Sequence, residues 1–508
     1  MAEPPVKRQR LGDSDGPKNR EWDRTPPSSL LHPISPPRKK SAQQQKAPEE
    51  IRHPSPFRLT TIRDLPETHN AGALSLGDLV GDPLIAQIWE FNYLHDIDFL
   101  LSHIDQDTRA LTEIHVVHGF WKNEDASRLM LQEQASQHEN VTLHTAFMPE
   151  MFGTHHSKMM IFIRHDDTAQ VIIHTANMIA KDWTNMTNGI WQSPLLPKLK
   201  TPDTGKKAEP SVGSGPRFKN DLLNYLRAYN TRRNVCKSLV DELARYDFSA
   251  IRGALIASVP GKHDVQHEPN ATRWGWQGLK ETLKSVPIQP GKSDIIVQVS
   301  SIATLGPKDT WLQRTLFDSL SPVSSGNSKP NFKIVFPTPD DVRRSLDGYE
   351  SGGSIHTKIQ SSQQAKQLQY LRPFFHHWAN DGDSYAPSRD AGRQRAAPHI
   401  KTYIRHGEKS IDWALLTSAN ISKQAWGEAT SKSGEVRIAS WEIGVLVWPE
   451  LLIGDAKARM IGTFRTDEPA KEEQTGEDDV PIVGLRIPYS MPLQKYGPAE
   501  VPVSSFWC

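Results

Sequence analysis

From about residue 56 the chain alternates short β-branched apolar runs with amphipathic stretches. The runs Glu113 to Val117, Val141 to His144, Met159 to Ile163 and Val171 to Ile173 read as buried strands. Asp221 to Arg227 reads as an amphipathic helix between strands, and the alternation predicts an α/β layer architecture. A Gly/Pro/Lys-rich interruption at about 199 to 216 breaks the pattern as a loop. A second series of strands then follows, at Asp294 to Ser300, Phe332 to Phe336, Thr402 to Arg405, Trp413 to Leu416 and Ile443 to Val447. Two aperiodic stretches, about 379 to 397 and 466 to 480, read as surface loops. The pattern predicts two α/β domains, 56–248 and 249–508.

Residues 1–55 carry Pro, Ser, Gln and charge with almost no periodic apolar positions, and are expected to form a disordered tail. Its two basic clusters, Lys7-Arg8-Gln9-Arg10 and Arg38-Lys39-Lys40, are spaced like a nuclear import signal. Ser35-Pro36 lies where a phosphate could mask the second cluster. Overall, 60 Lys and Arg nearly cancel 59 Asp and Glu, so any basic surface must be local. Only Cys236 and Cys508 are present, which excludes a disulfide framework and every multi-cysteine zinc site. No run approaches the roughly twenty apolar residues that span a bilayer, and the N-terminus lacks a signal peptide's apolar core. The expectation is a soluble, intracellular protein without a membrane partner, located in the nucleus.

The chemistry lies in a repeat. The first half contains Thr154-His155-His156-Ser157-Lys158, then Thr175-Ala176-Asn177 and Trp183. The second contains Pro398-His399-Ile400-Lys401, then Ser418-Ala419-Asn420 and Trp426. In both, Lys follows the key His by two residues, Asn follows it by 21, and Trp follows the Asn by six. On a strand, positions i and i+2 share a face, so His and Lys point together and a following strand can bring the Asn alongside. An imidazole, an ammonium and a carboxamide around one point suit a phosphate. Lys neutralises charge, Asn donates a hydrogen bond, and His attacks or transfers a proton. A single such His is more often a satisfied core residue, but two copies in one register are not coincidence. The lysine in each set would repel a divalent cation, so metal-independent chemistry with no cofactor is expected.

Twofold use of His-x-Lys resembles the phospholipase D superfamily, whose usual Asp five residues after the Lys is here replaced by Ile163 and His406. The Asn variant, with Phe152-Gly153-Thr154-His155-His156, Asp182-Trp183, Gly189-Ile190-Trp191, Pro398-His399-Ile400-Lys401-Thr402-Tyr403 and Thr417-Ser418-Ala419-Asn420, resembles tyrosyl-DNA phosphodiesterases of fungal type. Gly72-Ala73-Leu74, Phe91-Asn92-Tyr93 and Glu442-Ile443-Gly444-Val445-Leu446 extend the resemblance from about residue 56 to the end. It implies a phospholipase D-like fold, two α-β-α sandwich domains related by a pseudo-two-fold axis, with the active site at their seam. It also implies a monomeric DNA-repair hydrolase that removes a topoisomerase I-derived peptide and other adducts from 3′ ends of single- and double-stranded DNA.

By position, the resemblance makes His156 the nucleophile of a phosphohistidine intermediate and His399 the acid and then the base. Lys158, Lys401, Asn177 and Asn420 hold the phosphate, and Glu442 orients the nucleophilic imidazole. Tyr93 and Phe152 match aromatic positions beside the family's cleft, and Ser301 and Thr304 match a loop that touches phosphates. Before Gly-Ile-Trp the family often has a Gln that supports the second His, whereas this chain has Asn188, one methylene shorter. The family commonly continues past the position of Phe506-Trp507-Cys508, which implies a short form or a missing last strand. Two other functions compete with this one. A lipid-cleaving phospholipase D is disfavoured by the absent Asp pair and the lack of a membrane-surface helix. An inert DNA-binding module is disfavoured because both His-Lys-Asn sets are intact.

Overall fold

The strand Met159–Arg164 is apolar at successive positions because both of its faces are covered. Met159 and Ile161 point into a central core shared with Trp89, Ile404, Ile443 and Val445, whereas Met160 and Phe162 point into an outer core with Ile88 and Ile172. Ile295, Val297, Trp413 and Leu415 do the same for a second sheet, whose outer core is separate. The structure is a computed structural model that describes residues 52–201, 209–266, 271–322, 328–380, 387–470 and 480–504. Most of the tail with its two basic clusters and Ser35, parts of the three expected loops, and Phe506-Trp507-Cys508 lie outside the described residues. Among the described residues no helix is long and apolar enough to cross a membrane.

The first sheet runs Arg58–Leu59, Gly189–Gln192, Thr168–His174, Met159–Arg164, Ile85–Phe91, Glu113–His118, Val141–Thr145, with Leu196–Pro197 added beside Thr168–His174. Its last three strands are mutually parallel and the others antiparallel. The second sheet repeats this order. Ala254–Ser258 pairs with Glu442–Val447, then come Ile411–Thr417, Thr402–His406 and Asp294–Gln298, with Asn331–Val335 and Phe375–His376 parallel to the last. Each strand of the first series therefore has a counterpart in the second, with the same neighbour and the same direction. The second sheet alone is extended past this unit, by Arg459–Thr463, Ile482–Arg486 and the short Arg52–His53.

Helices cover the outer faces, and Gly215–Ala228 and Lys237–Leu243 send Phe218, Leu222, Tyr225 and Leu239 into the central core. The predicted helix over 221–227 is the second half of Gly215–Ala228, which starts earlier because Pro216 takes its first turn, where the missing N–H costs nothing.

Candidate active site

Each His-x-Lys set sits just before the strand at which its sheet's antiparallel half begins. His156 and Lys158 precede Met159–Arg164, and His399 and Lys401 precede Thr402–His406. The expectation that they lie on the strand itself is corrected by one residue for each Lys and three for each His. These segments are extended but leave their own ladder to bridge the opposite half. His155 bridges Trp441 and Pro398 bridges Thr187. The His156 N–H donates to Trp441 O at 3.0 Å, and the N–H groups of His399 and Ile400 donate to Thr187 O at 2.9 and 2.8 Å. Gly153 is required by this docking, because a Cβ there would lie 1.9 Å from Ala439 O.

The exchange brings each histidine a carboxylate from the other half. Glu442 places Oε2 2.9 Å from His156 Nδ1 and also accepts from the Ser418 hydroxyl. Asp182, fully buried in the short helix Ala180–Thr184, places Oδ2 2.9 Å from His399 Nδ1 and accepts from the Asn177 N–H at 2.6 Å. With Nδ1 engaged in this way, Nε2 is the nitrogen each ring offers to a substrate. Burial pushes both carboxyls upward, but the facing imidazoles and the lysines outweigh it and hold Glu442 and Asp182 below their ordinary values.

Burial lowers both histidines. His156 is lowered against the pull of Glu442, and His399, with Lys401 adding to the effect, is pushed down to about 3. Both rings are therefore neutral at pH 7 before any anion binds. Burial drops Lys158 to about 8, and burial together with Lys158 takes Lys401 well below its usual range. Among the described residues each lysine Nζ donates only to the carbonyl of the His two residues earlier, 3.3 Å away for Lys158. A site with two buried lysines and two neutral imidazoles is built for an anion, whose charge favours the ammonium form of both lysines.

The asparagines follow the next strand of each sheet. Asn420 Oδ1 accepts from the N–H groups of Ser300 and Ser301 at 3.1 and 2.9 Å, which leaves its amide NH2 as the group free to donate. Asn177 is anchored by its backbone, with its N–H on Asp182 and its carbonyl accepting from Trp183 Nε1 at 3.0 Å. This accounts for the Trp six residues on. Trp426 makes the equivalent clasp one step removed, donating to the Tyr403 hydroxyl, which donates to Ala419 O. His155, beside the candidate nucleophile, is the satisfied core histidine of the pair, between Asn92 O at 2.7 Å and the Tyr229 hydroxyl at 2.9 Å.

The other sequence-derived residues divide. The Tyr93 ring lies 5.8 Å from that of His156 and is partly exposed, and Phe152 is 78 % exposed, so core packing is excluded for Phe152. Ser301 reaches the site through its backbone N–H, and the exposed Thr304 hydroxyl accepts from Gln364 at 3.0 Å. Asn188, expected from its place before Gly-Ile-Trp among the substrate-binding residues, is instead a support. It is wholly buried, accepts from the Thr175 hydroxyl at 2.8 Å and donates to Asp182 O at 2.8 Å. Its link to His399 runs through Asp182, a site residue to which the repeat does not point because the equivalent position of the second copy is Ala425.

Residues 56–497 match the family model for tyrosyl-DNA phosphodiesterase. A probable tyrosyl-DNA phosphodiesterase of Schizosaccharomyces pombe is 32 % identical, over 91 % of this chain and 94 % of that one. Tyrosyl-DNA phosphodiesterase 1 of Arabidopsis thaliana is 30 % identical, over 90 % of this chain and 75 % of that one. The crystal structure of the yeast tyrosyl-DNA phosphodiesterase superposes with a TM-score of 0.64 at 19 % identity, covering 88 % of this chain and 98 % of that one, which shows the same phospholipase D-like fold.

Proposed function

The chain belongs to the tyrosyl-DNA phosphodiesterase family, and we propose that it opens the bond between a DNA 3′ phosphate and a tyrosine of stalled topoisomerase I through a phosphohistidine on His156. Membership makes it a DNA-repair hydrolase acting on phosphoric diester bonds of DNA-linked substrates. The observation that carries the mechanism is the pair of histidine–carboxylate contacts facing two buried lysines.

In the first step His156 Nε2 attacks phosphorus, the P–O bond to the phenol breaks, and His399 gives the leaving oxygen a proton. In the second, water attacks phosphorus, the P–N bond breaks, and His399 takes water's proton, leaving a DNA 3′ phosphate and neutral His156. His399 must first gain its proton. A bound phosphate anion supplies the cause, since it offsets Lys401, which with burial holds the ring near 3 in the empty site. Nothing in this set grips the departing group, so other 3′ adducts, including a terminal nucleoside removed by exonuclease action, fit the same chemistry.

Hydrolysis of a 3′-phosphotyrosyl oligonucleotide, single-stranded or duplex, tests this reading. The expected result is full turnover in chelator, because Lys158 and Lys401 meet the transition-state charge. No product, or activity lost in chelator and restored by a divalent ion, would overturn it. We propose further that the enzyme acts as a monomer in the nucleus, guided by Lys7-Arg8-Gln9-Arg10 and Arg38-Lys39-Lys40. Alanines in both clusters should leave the rate on a short oligonucleotide unchanged and spread a fluorescent fusion into the cytoplasm.

A further inference from the structure

Under the loop that joins the strand Ile85–Phe91 to the helix Ile97–His103 lies a buried charged pair with no role in the steps above. Glu90, wholly buried, places Oε2 2.7 Å from Nδ1 of the buried His95, and Nε2 of that ring lies 3.0 Å from the Asn92 carbonyl. A carbonyl only accepts, and so does an ionised carboxylate. His95 therefore stands between two acceptors and bonds both when the pair carries a second proton, as an imidazolium facing a carboxylate. Glu90 Oε1 has no hydrogen-bond partner among the described residues. Such a pair carries a desolvation cost that packed apolar side chains avoid.

The second half shows that the fold does not require it. Phe91 pairs with Met159 and Gln298 with Thr402, the residues that follow the two lysines, so Glu90 and His95 correspond to Val297 and Ile302. The backbone arrangement is the same in both halves. His95 bridges Met178 and Ile302 bridges Ile421, in each case the residue after the asparagine of the site. What differs is how that asparagine is held. Asn420 Oδ1 takes the Ser300 and Ser301 N–H groups directly, whereas Asn177 Oδ1 has no partner among the described residues. In the first half Asn92 supplies the support. Its Nδ2 donates to Ala176 O at 3.1 Å, its Oδ1 accepts from the Tyr93 N–H at 2.9 Å, and its carbonyl accepts from both His95 and His155. The loops of Tyr93 and Asn177 are thus tied to one residue, and the charged pair fixes that residue from below.

We propose that Glu90 and His95 are positioning residues of the reaction, which act through Asn92 to hold Asn177 where its amide meets the phosphate. The proposal rests on the reading of the seam as a phosphate site, and it gives the first half by a charged pair what the second half obtains from two backbone N–H groups.

The test follows turnover of a 3′-phosphotyrosyl oligonucleotide by variants of the full chain. Glu90→Val with His95→Ile copies the residues of the second half, and thermal melts should show a folded protein, since both buried charges are gone. Its kcat should nevertheless fall by about 10²-fold while KM moves by less than about threefold, because a displaced Asn177 is felt in the transition state more than in DNA binding. On an Asn177→Ala background the same two changes should cost less than about threefold more, since nothing is left to position. Glu90→Gln should stay within about threefold of wild type, because its amide donates to His95 Nδ1 and a neutral ring then donates from Nε2 to Asn92. If the double variant does not fold, Glu90→Val alone leaves a neutral ring and no unpaired charge, and its kcat should fall by about tenfold. Unchanged kcat in the folded double variant, or in Glu90→Val where only that one folds, would overturn the proposal. So would an undiminished loss on the Asn177→Ala background, the mark of a merely structural role, or a folded but inactive Glu90→Gln. If wild type itself releases no tyrosine, the seam reading fails and this proposal with it.

Discussion

His156→Ala loses turnover by on the order of 10⁴-fold or more and forms no adduct with DNA, whereas His399→Ala accumulates enzyme covalently joined to DNA. The difference follows from what each ring does. Without His156 there is no P–N bond to form. Without His399 a good leaving group such as nitrophenol still departs, because it needs little protonation, but water then lacks its base and the phosphohistidine persists. Asp182→Asn should give a milder form of the His399→Ala result. The amide keeps the shape of the Oδ2 contact with His399 Nδ1 but removes the charge that favours the imidazolium. Glu442→Gln should instead slow adduct formation, since its carboxylate serves His156. Intact-protein mass spectrometry of each variant after mixing with a 3′-phospho-nitrophenyl oligonucleotide, followed by peptide mapping, reads out both steps. An adduct on His399, or one that survives in His156→Ala, would reverse the two roles.

The two His-Lys-Asn sets were legible because they recur at equal offsets, and the fold repeats for the same reason: corresponding strands have corresponding neighbours. Asp182 was not legible in that way. It lies five residues after Asn177, whereas the residue five after Asn420 is Ala425, and the second carboxylate comes instead from Glu442, 22 residues beyond Asn420. A search for equal spacing finds only what both copies kept. The carboxylates serve the opposite half, His156 meeting Glu442 across 286 residues of sequence, and that crossing depends on the bridges His155 to Trp441 and Thr187 to Pro398. The usable signal was chemical rather than periodic: an acidic residue in the first turn after an Asn loop, followed by a Trp. Asn188 shows the converse. Its place before Gly-Ile-Trp singles it out, but its buried amide donates to the Asp182 carbonyl, so it reaches the second histidine only through that aspartate.

Lys158→Met is expected to slow hydrolysis of the tyrosyl substrate by about 10²- to 10³-fold and at the same time raise the melting temperature of the empty enzyme. Lys158 and Lys401 are wholly buried in one gap, and among the described residues each has only a carbonyl as hydrogen-bond acceptor. Methionine is of similar length and carries no charge to desolvate, while Glu442 keeps its contacts with His156 and Ser418. The pH dependence gives the sign. In the folded enzyme Lys158 titrates near 8 against 10.5 for the free side chain. Below pH 8 the group is charged in both folded and unfolded chains, and the folded state bears the full penalty. Between 8 and 10.5 the folded chain has released the proton and the unfolded chain has not, so the penalty fades as pH rises. The melting advantage of Lys158→Met should therefore be largest at pH 7 and shrink by pH 10. Inorganic phosphate should reverse the order of the two proteins at pH 7. It binds the folded wild type between the lysines and stabilises it by about 2.7 kcal/mol at 100 times its Kd, a gain the variant lacks. Thermal melts at pH 7 and 10, with and without phosphate, check each step. A variant less stable than wild type in phosphate-free buffer at pH 7 would show that Lys158 is held by its neighbours rather than strained against Lys401.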